Sequence, residues 1–346
     1  MGEPGHRTQM NTKRAKNTVN IYDVAKVAGV SSATVSRVIN GSPKVKPETV
    51  IHVQSVMNDL GFTPNVFARS LQSNSMKVLA VLTVDISDIY FSAAVQSIES
   101  YARRRGYDIQ VGFARDDKKD QTARLRTLVE KRVDGIILAG SAFARGDNPY
   151  VQKAAKTTPI AILNGKVDGD RIYSVLSDDA AGIEMAVDHL VGLGRRNLVY
   201  VQDSQNPAAI SKMRGYVRAV EKHGIEIRTI EAVPGVTGAY NACGRGLDPA
   251  WHTDGIVCAE DPLAIGAIKY LTANGRRVPE DVAVTGYDNL AFATCSTPEL
   301  TSVDSCAEQM SETVARVLIE ALEGGSPAAL THFVPSLAIR RSTHSD

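Results

Sequence analysis

The sequence contains no C-x-x-C pair: its four cysteines, Cys243, Cys258, Cys295 and Cys306, are scattered. In a chain of 346 residues this spacing argues against a disulfide framework and reads as ordinary reduced thiols. No run approaches the roughly 18 apolar residues that a membrane helix needs. Residues 1–20 are polar and basic, without the apolar core of a secretory signal. Together these absences predict a cytoplasmic chain with no membrane partner. Catalytic signatures are missing too. No G-x-G-x-x-G follows a predicted strand; Gly192-Leu193-Gly194-Arg195-Arg196-Asn197 comes nearest, but it precedes a strand and lacks the third glycine. There is no Walker A, G-x-S-x-G or H-E-x-x-H run, and the histidines lie far apart at 6, 52, 189, 223, 252, 332 and 344. No catalytic residue, metal site or cofactor is expected. An overall basic charge is also lacking, since the formal net charge is +1. That average conceals an asymmetry: residues 1–75 carry +5 and the remainder −4. A basic head on a mildly acidic body is the footprint of a small nucleic-acid-binding module joined to another domain.

The head has a legible pattern. Ile21, Val24, Ala25 and Ala28 fall on one face of a short helix. Gly29 suits a left-handed C-cap, and Ser31 suits the N-cap of a second helix, whose apolar face is Val35, Val38 and Ile39. Asn40-Gly41 ends it. Pro47 and Glu48 suit the first turn of a third helix, with Val50, Val53, Met57 and Leu60 on its buried face. Two short helices joined at a glycine and closed by a third make a helix-turn-helix, whose second helix enters the DNA major groove. Arg37 on that helix has the fork that bonds guanine O6 and N7. Asn20, Ser36 and Asn40 suit phosphate or backbone contact, or simple solvation. Ser32 and Ala33 are too small to read much by hydrogen bonding, although Ala33 can pack on a thymine methyl.

Residues 1–18 read as a disordered basic tail. Residues 63–73 are short, weakly apolar and flanked by Pro64 and Ser73-Asn74-Ser75, and a helix of that length is marginal alone in water. From Lys77 the texture changes. Val78 to Val84 is a continuous apolar run, as in a strand buried on both faces. Two rounds of alternating strand and helix follow, predicting parallel α/β sheets in two lobes. Predicted strands include Gly135–Ala139, Pro159–Leu163, Asn197–Gln202, Gly255–Ala259 and Asp281–Thr285.

The run Tyr22-Asp23-Val24-Ala25-Lys26, Ala28-Gly29-Val30-Ser31 and Ala33 to Gly41 resembles the N-terminal motif of the LacI/GalR family of bacterial regulators. The resemblance extends through Asp261 to Ala267, Val278 to Asn289 and Leu300 to Val303, and covers nearly everything from 19 to 341. It implies an all-α helix-turn-helix DNA-binding head (19–64), a hinge helix (65–75) and a two-lobed α/β periplasmic-binding-protein-like effector domain (76–346), with chain crossings near 176, 303 and 329. It implies a ligand-responsive homodimeric repressor of carbohydrate-related genes on a near-palindromic double-stranded operator. A solute-binding protein or an enzyme on the same body is the alternative, which the head disfavours. The implied DNA contacts are Asn20, Tyr22, Ser31, Ser32, Ala33, Thr34, Ser36, Arg37 and Asn40 in the head. In the hinge they are Asn65, Ala68, Arg69 and Leu71, with Leu71 as a minor-groove wedge.

The implied effector, a sugar or sugar derivative, would lie between the lobes. Tyr90 and Phe91 would line its pocket, Phe91 being alternatively core of its own helix. Asp288 would accept ligand hydroxyls, and Asn164, Asn206 and Val233 would stand nearby. Two positions depart from the family pattern. Lys212 replaces the usual arginine, a point charge in place of a planar fork, and Glu260 replaces the usual asparagine. Both departures bear on the class of ligand.

Overall fold

The computed structural model describes residues 19–39, 41–62, 75–115 and 117–344. The chain divides between Met76 and Lys77 into two compact units. Among the described residues, the first contains three helices, α1 (Ile21–Ala28), α2 (Ser32–Ile39) and α3 (Pro47–Asp59). Its core is Val24, Ala25, Ala28, Val35, Val38, Val53 and Val56. Local chemistry sets the ends of the helices. Asn20 and Asp23 form a reciprocal capping box at the start of α1, and Gly29 closes it at φ 66°. The Ser31 hydroxyl accepts the Thr34 N–H at 3.1 Å, which starts α2. Residues 63–74, which hold all of the predicted hinge (65–75) but its last residue, lie outside the described residues, as do Asn40 and the tail.

The second unit has two six-stranded sheets. One comprises β1 (Val78–Thr83), β2 (Asp108–Phe113), β3 (Gly135–Ala139), β4 (Ile160–Leu163), β5 (Ile172–Ser177) and β11 (Leu330–Phe333), in the order β11-β5-β4-β3-β1-β2, all parallel. The other comprises β6 (Leu198–Gln202), β7 (Thr229–Glu231), β8 (Gly255–Cys258), β9 (Ala283–Tyr287), β10 (Thr301–Asp304) and β12 (Ser336–Ala338), in the order β12-β10-β9-β8-β6-β7. Only the β10–β12 pair is antiparallel. The central strands β3, β4, β6 and β8 are buried along their whole length, which explains their unbroken apolar sequences.

The helices that cover the sheets follow the expected alternation: α4 (Ile89–Arg104), α5 (Lys118–Glu130), α6 (Pro149–Ala155), α7 (Asp179–Gly192), α8 (Pro207–Lys222), α9 (Val236–Gly246), α10 (Asp261–Ala273), α11 (Ala291–Cys295) and α12 (Ala307–Leu322). The chain crosses between sheets after β5, after β10 and after β11. The last crossing comes after Phe333, later than the 329 read from the sequence, because Leu330–Phe333 still pairs with β5. The strand predicted at 281–285 is displaced to 283–287. Asp281 is instead held in a turn by the Arg277 guanidinium, and Tyr287 belongs to the strand, opposite Val303.

Both sheets reverse their strand order beside the first strand of the lobe, between β1 and β3 and between β6 and β8. In open α/β sheets, a crevice forms there at the carboxyl ends of the strands. The register reinforces this: Thr83 stands opposite Ala139 and Val201 opposite Cys258, so the loops that follow emerge side by side.

Helices α7 and α8 pack unusually closely in the second lobe. A Cβ on Gly215 would stand 2.2 Å from the Ala180 carbonyl oxygen. Gly215→Ala is expected to lower stability by about 1–3 kcal/mol through overpacking, measured by urea unfolding. Gly192→Ala, with nothing within 4 Å of the added methyl, should leave the midpoint unchanged or slightly raised.

Candidate functional site

In the head, α2 presents Ala33 and Arg37, one turn apart, as exposed neighbours on one face. The Arg37 guanidinium makes no hydrogen bond or ion pair among the described residues, so its fork is free to meet a base. Tyr22 on α1 is 71% exposed. Ser32 and Ser36 are half-buried. Three of the residues selected from sequence have structural partners. Asn20 accepts the Tyr22 and Asp23 N–H groups at 2.9 and 3.2 Å, and Ser31 and Thr34 share a hydroxyl–hydroxyl hydrogen bond of 2.9 Å. Asn40, Asn65, Ala68, Arg69 and Leu71 lie outside the described residues.

In the second unit, a cavity of about 310 Å³ takes its walls from both sheets. The first lobe contributes Asp85, Asp88, Tyr90 and Phe91 after β1, Gly140 to Ala142 after β3, and Asn164 after β4. The second contributes Asp203, Ser204 and Asn206 after β6, Lys212 from α8, Glu260 after β8 and Asp288 after β9. Of the eight residues selected from sequence, only Val233 falls outside. It is 67% exposed, and its neighbour Pro234 faces the cavity in its place. Asp88, Ser141 and Asp203 were not foreseen, since loop residues without periodicity carry no sequence signal; their position just after β1, β3 and β6 was the available clue.

Lys212 is the electrostatic centre. Its side chain is 7% exposed. Its Nζ donates to the Ala259 carbonyl at 2.8 Å, lies 3.8 Å from the centroid of the Tyr287 ring and stands 4.0 Å from Asp288 Oδ2. Burial favours the neutral amine, but Asp288, Asp179, Glu260 and Asp203 outweigh it and hold the pKa above the usual lysine value. Asp288 has φ 89°, a sparsely populated backbone region for a residue with a side chain. It is held there by its N–H, which donates to the Val303 carbonyl at 2.8 Å, while the Ser305 hydroxyl donates to its carboxylate at 2.8 Å.

The carboxylates around it are under strain. Burial pushes Asp179 up to about 6, despite Lys212 and the hydrogen bond from Tyr287. Burial pushes Asp261 up to about 7, although Ser302 and the Leu290 N–H donate to it. Glu260 is raised by burial and by the nearby charge of Asp203, and Asp203 is raised chiefly by burial. On the opposite wall, Tyr90 and Phe91 meet edge to face at 5.3 Å. Gly140 leaves room for Phe91, since a Cβ there would approach its ring to 3.0 Å. The lobes are linked across the cavity by Ser141, whose hydroxyl donates to Asn206 Oδ1 at 3.0 Å and accepts the Ala208 N–H at 3.2 Å.

A carboxylate harder to ionise in the folded than in the unfolded state binds its proton more tightly when folded. Between about pH 4 and 8 the unfolded chain therefore holds fewer protons, and stability falls as pH rises. His189, whose imidazole burial holds below its usual range, opposes this below about pH 6.5. The urea midpoint of the body is accordingly expected to fall between pH 5 and pH 8, and Asp179→Asn and Glu260→Gln should each flatten that slope.

Residues 20–65 match the family described as bacterial regulatory proteins, lacI family, and residues 187–343 match the periplasmic binding protein-like domain. An HTH-type transcriptional regulator of Lachnoclostridium phytofermentans is 36% identical, over 94% of this chain and 100% of its own. The HTH-type transcriptional repressor PurR of Erwinia tasmaniensis is 31% identical, over 93% of this chain and 96% of its own. The crystal structure of the lac repressor dimer bound to operator and the anti-inducer ONPF has a TM-score of 0.86, covering 95% of this chain and 100% of that one; at 24% identity this is a likeness of fold. The curated relatives are transcriptional regulators, not enzymes. The chain belongs to the lacI family of bacterial regulatory proteins, and is a DNA-binding transcriptional regulator with a helix-turn-helix head and a two-lobed α/β body.

Proposed function

We propose that this regulator is a cytoplasmic homodimeric repressor, bound to a near-palindromic operator and switched by a small hydroxylated effector held between the lobes of its body. The observation that carries this reading is the cavity itself. It takes walls from the carboxyl ends of strands in both sheets and gathers seven of the eight residues selected for effector contact. A ligand touching both lobes favours one closure over another, and only that difference in affinity shifts DNA binding. The Ser141 contacts with Asn206 and Ala208 are the interlobe bonds that such a ligand would reinforce or replace. Hydroxyl and amide groups from Ser141, Asn164 and Asn206, facing an aromatic wall of Tyr90 and Phe91, suit a sugar or sugar derivative with polar edges and a C–H face.

On the DNA side, Arg37 is the base-reading residue in this proposal. Asn20, Ser31 and Thr34 set the helix ends from which Tyr22, Ser32, Ala33 and Ser36 approach the duplex. The hinge residues Asn65, Ala68, Arg69 and Leu71 would order on DNA, with Leu71 wedging a base step from the minor groove. Little direct readout is available from Ser32 and Ala33, so deformability of the operator would supply part of the specificity.

Two variants separate these roles. Arg37→Ala is expected to cost about 1–3 kcal/mol of specific binding and to relax choice at one base pair, measured by fluorescence anisotropy over operator variants; an equal loss on every sequence contradicts a base-reading role. Asp288→Ala should keep operator affinity while losing the effector response in the same assay, and a normal response removes Asp288 from the effector site.

A further inference from the structure

We propose that the ligand of this cavity carries a protonated amine on a hydroxylated frame of monosaccharide size: an amino sugar, imino sugar or amino polyol. The proposal rests on the reading of the cavity as the effector site, and it narrows the ligand from hydroxylated molecules in general to cationic ones.

The argument begins with charge. Among the described residues, the wall carries five carboxylates, Asp85, Asp88, Asp203, Glu260 and Asp288, against one cation, Lys212. Lys212 is already committed. It donates to Ala259 and lies against the Tyr287 ring and Asp288. Asp288 is satisfied by that ammonium and by the Ser305 hydroxyl. Asp88 caps α4 through the Tyr90 N–H at 2.9 Å. Asp85 is exposed and bonded to Ser87.

Glu260 and Asp203 feel the Lys212 charge but have no comparable hydrogen bond or ion pair. They follow neighbouring strands, β8 and β6, at the point where the strand order reverses. No side chain or backbone N–H of another described residue donates to either carboxylate; both line the cavity, and the Asp203 charge acts on Glu260. Two carboxylates sharing one partly buried site repel each other and resist ionisation. A cation between them removes that repulsion.

A second feature belongs to Tyr90, a residue of the same wall. The Tyr90 hydroxyl is buried and has no hydrogen-bond partner among the described residues. It lies in the field of Asp288, Asp179, Asp88 and Glu260, which together with burial keep it protonated. It is a donor without an acceptor among the described residues.

The chemistry also discriminates against other ligand classes. A neutral sugar supplies hydroxyl donors but leaves the excess negative charge in place. A phosphorylated or carboxylated sugar adds to it. A metal ion is a poor fit, because the described residues contain no group of three His, Cys, Asp or Glu placed to hold one. An ammonium with three N–H donors matches acceptors spread over two loops. The edge-to-face pair of Tyr90 and Phe91 provides the apolar wall for the C–H face of the same molecule.

The test uses the full-length protein at pH 7 and matched probes: glucosamine with glucose, galactosamine with galactose, mannosamine with mannose, and 1-deoxynojirimycin and glucamine with sorbitol, with glucuronate as the anion. Thermal shift ranks the probes and calorimetry gives the affinities. At least one amine should raise Tm where its neutral partner and glucuronate do not. Glu260→Gln, an uncharged isostere whose folding is checked by circular dichroism, should weaken that amine about tenfold, the equivalent of about 1.4 kcal/mol. The proposal is overturned if a neutral partner or glucuronate binds as tightly as the amine, if Glu260→Gln leaves amine affinity unchanged, or if no amine registers. Failure of the underlying site reading has a separate signature: the shift from whichever probe binds persists undiminished in Asp288→Ala.

Discussion

The body of this regulator depends on one buried ammonium. Lys212 lies on the inner face of α8, and its partners arrive from the ends of β8 and β9. A charge so far removed from water is tolerated only when it is paired and hydrogen-bonded, and here each requirement is met by a different loop. The lysine therefore ties together the carboxyl ends of the second sheet. Carboxyl groups outnumber it in the cavity wall, five to one among the described residues.

That arrangement follows from topology. Both lobes reverse strand order next to their first strand, and parallel pairing in register brings the ends of β1, β3, β6 and β8 out at the same level. Loops from two sheets then converge without any long insertion. The chain passes between the lobes three times, after β5, β10 and β11. Ser141 meets Asn206 and Ala208 across this junction, so relative movement of the lobes changes the cavity wall directly. Any coupling to DNA must be reciprocal: an effector that weakens operator binding is itself bound less tightly on the operator.

The head was legible because its determinants are local. Apolar spacing, the Gly29 cap and the Ser31 cap each act within a few residues, and the structure places them as read. The cavity was legible only in part. Lys212, Asp288 and Glu260 were reached through resemblance to a family, since nothing in their own spacing marks them. Asp203, Asp88 and Ser141 were missed because a loop residue acquires its role from strand order, which is a long-range property. Val233 lies outside the cavity wall, which its neighbour Pro234 joins. Among the strands, β5 escaped notice because its serines and tyrosine interrupt the apolar run, and β11 and β12 because they are short edge strands with exposed residues. The residues selected as DNA contacts include three, Asn20, Ser31 and Thr34, whose side chains serve helix ends. Polar residues at such positions answer to helix capping before they answer to a ligand.

The central claim is that Glu260 and Asp203 share a site with too little positive charge. Selective carbon-13 labelling of glutamate carboxyls, with Glu260 assigned by comparison with the E260Q variant, allows its titration to be followed by NMR in the ligand-free protein. The account predicts a midpoint well above the ordinary glutamate value of 4.5, returning toward it in Asp203→Asn. A midpoint at the ordinary value, unmoved by Asp203→Asn, would contradict it.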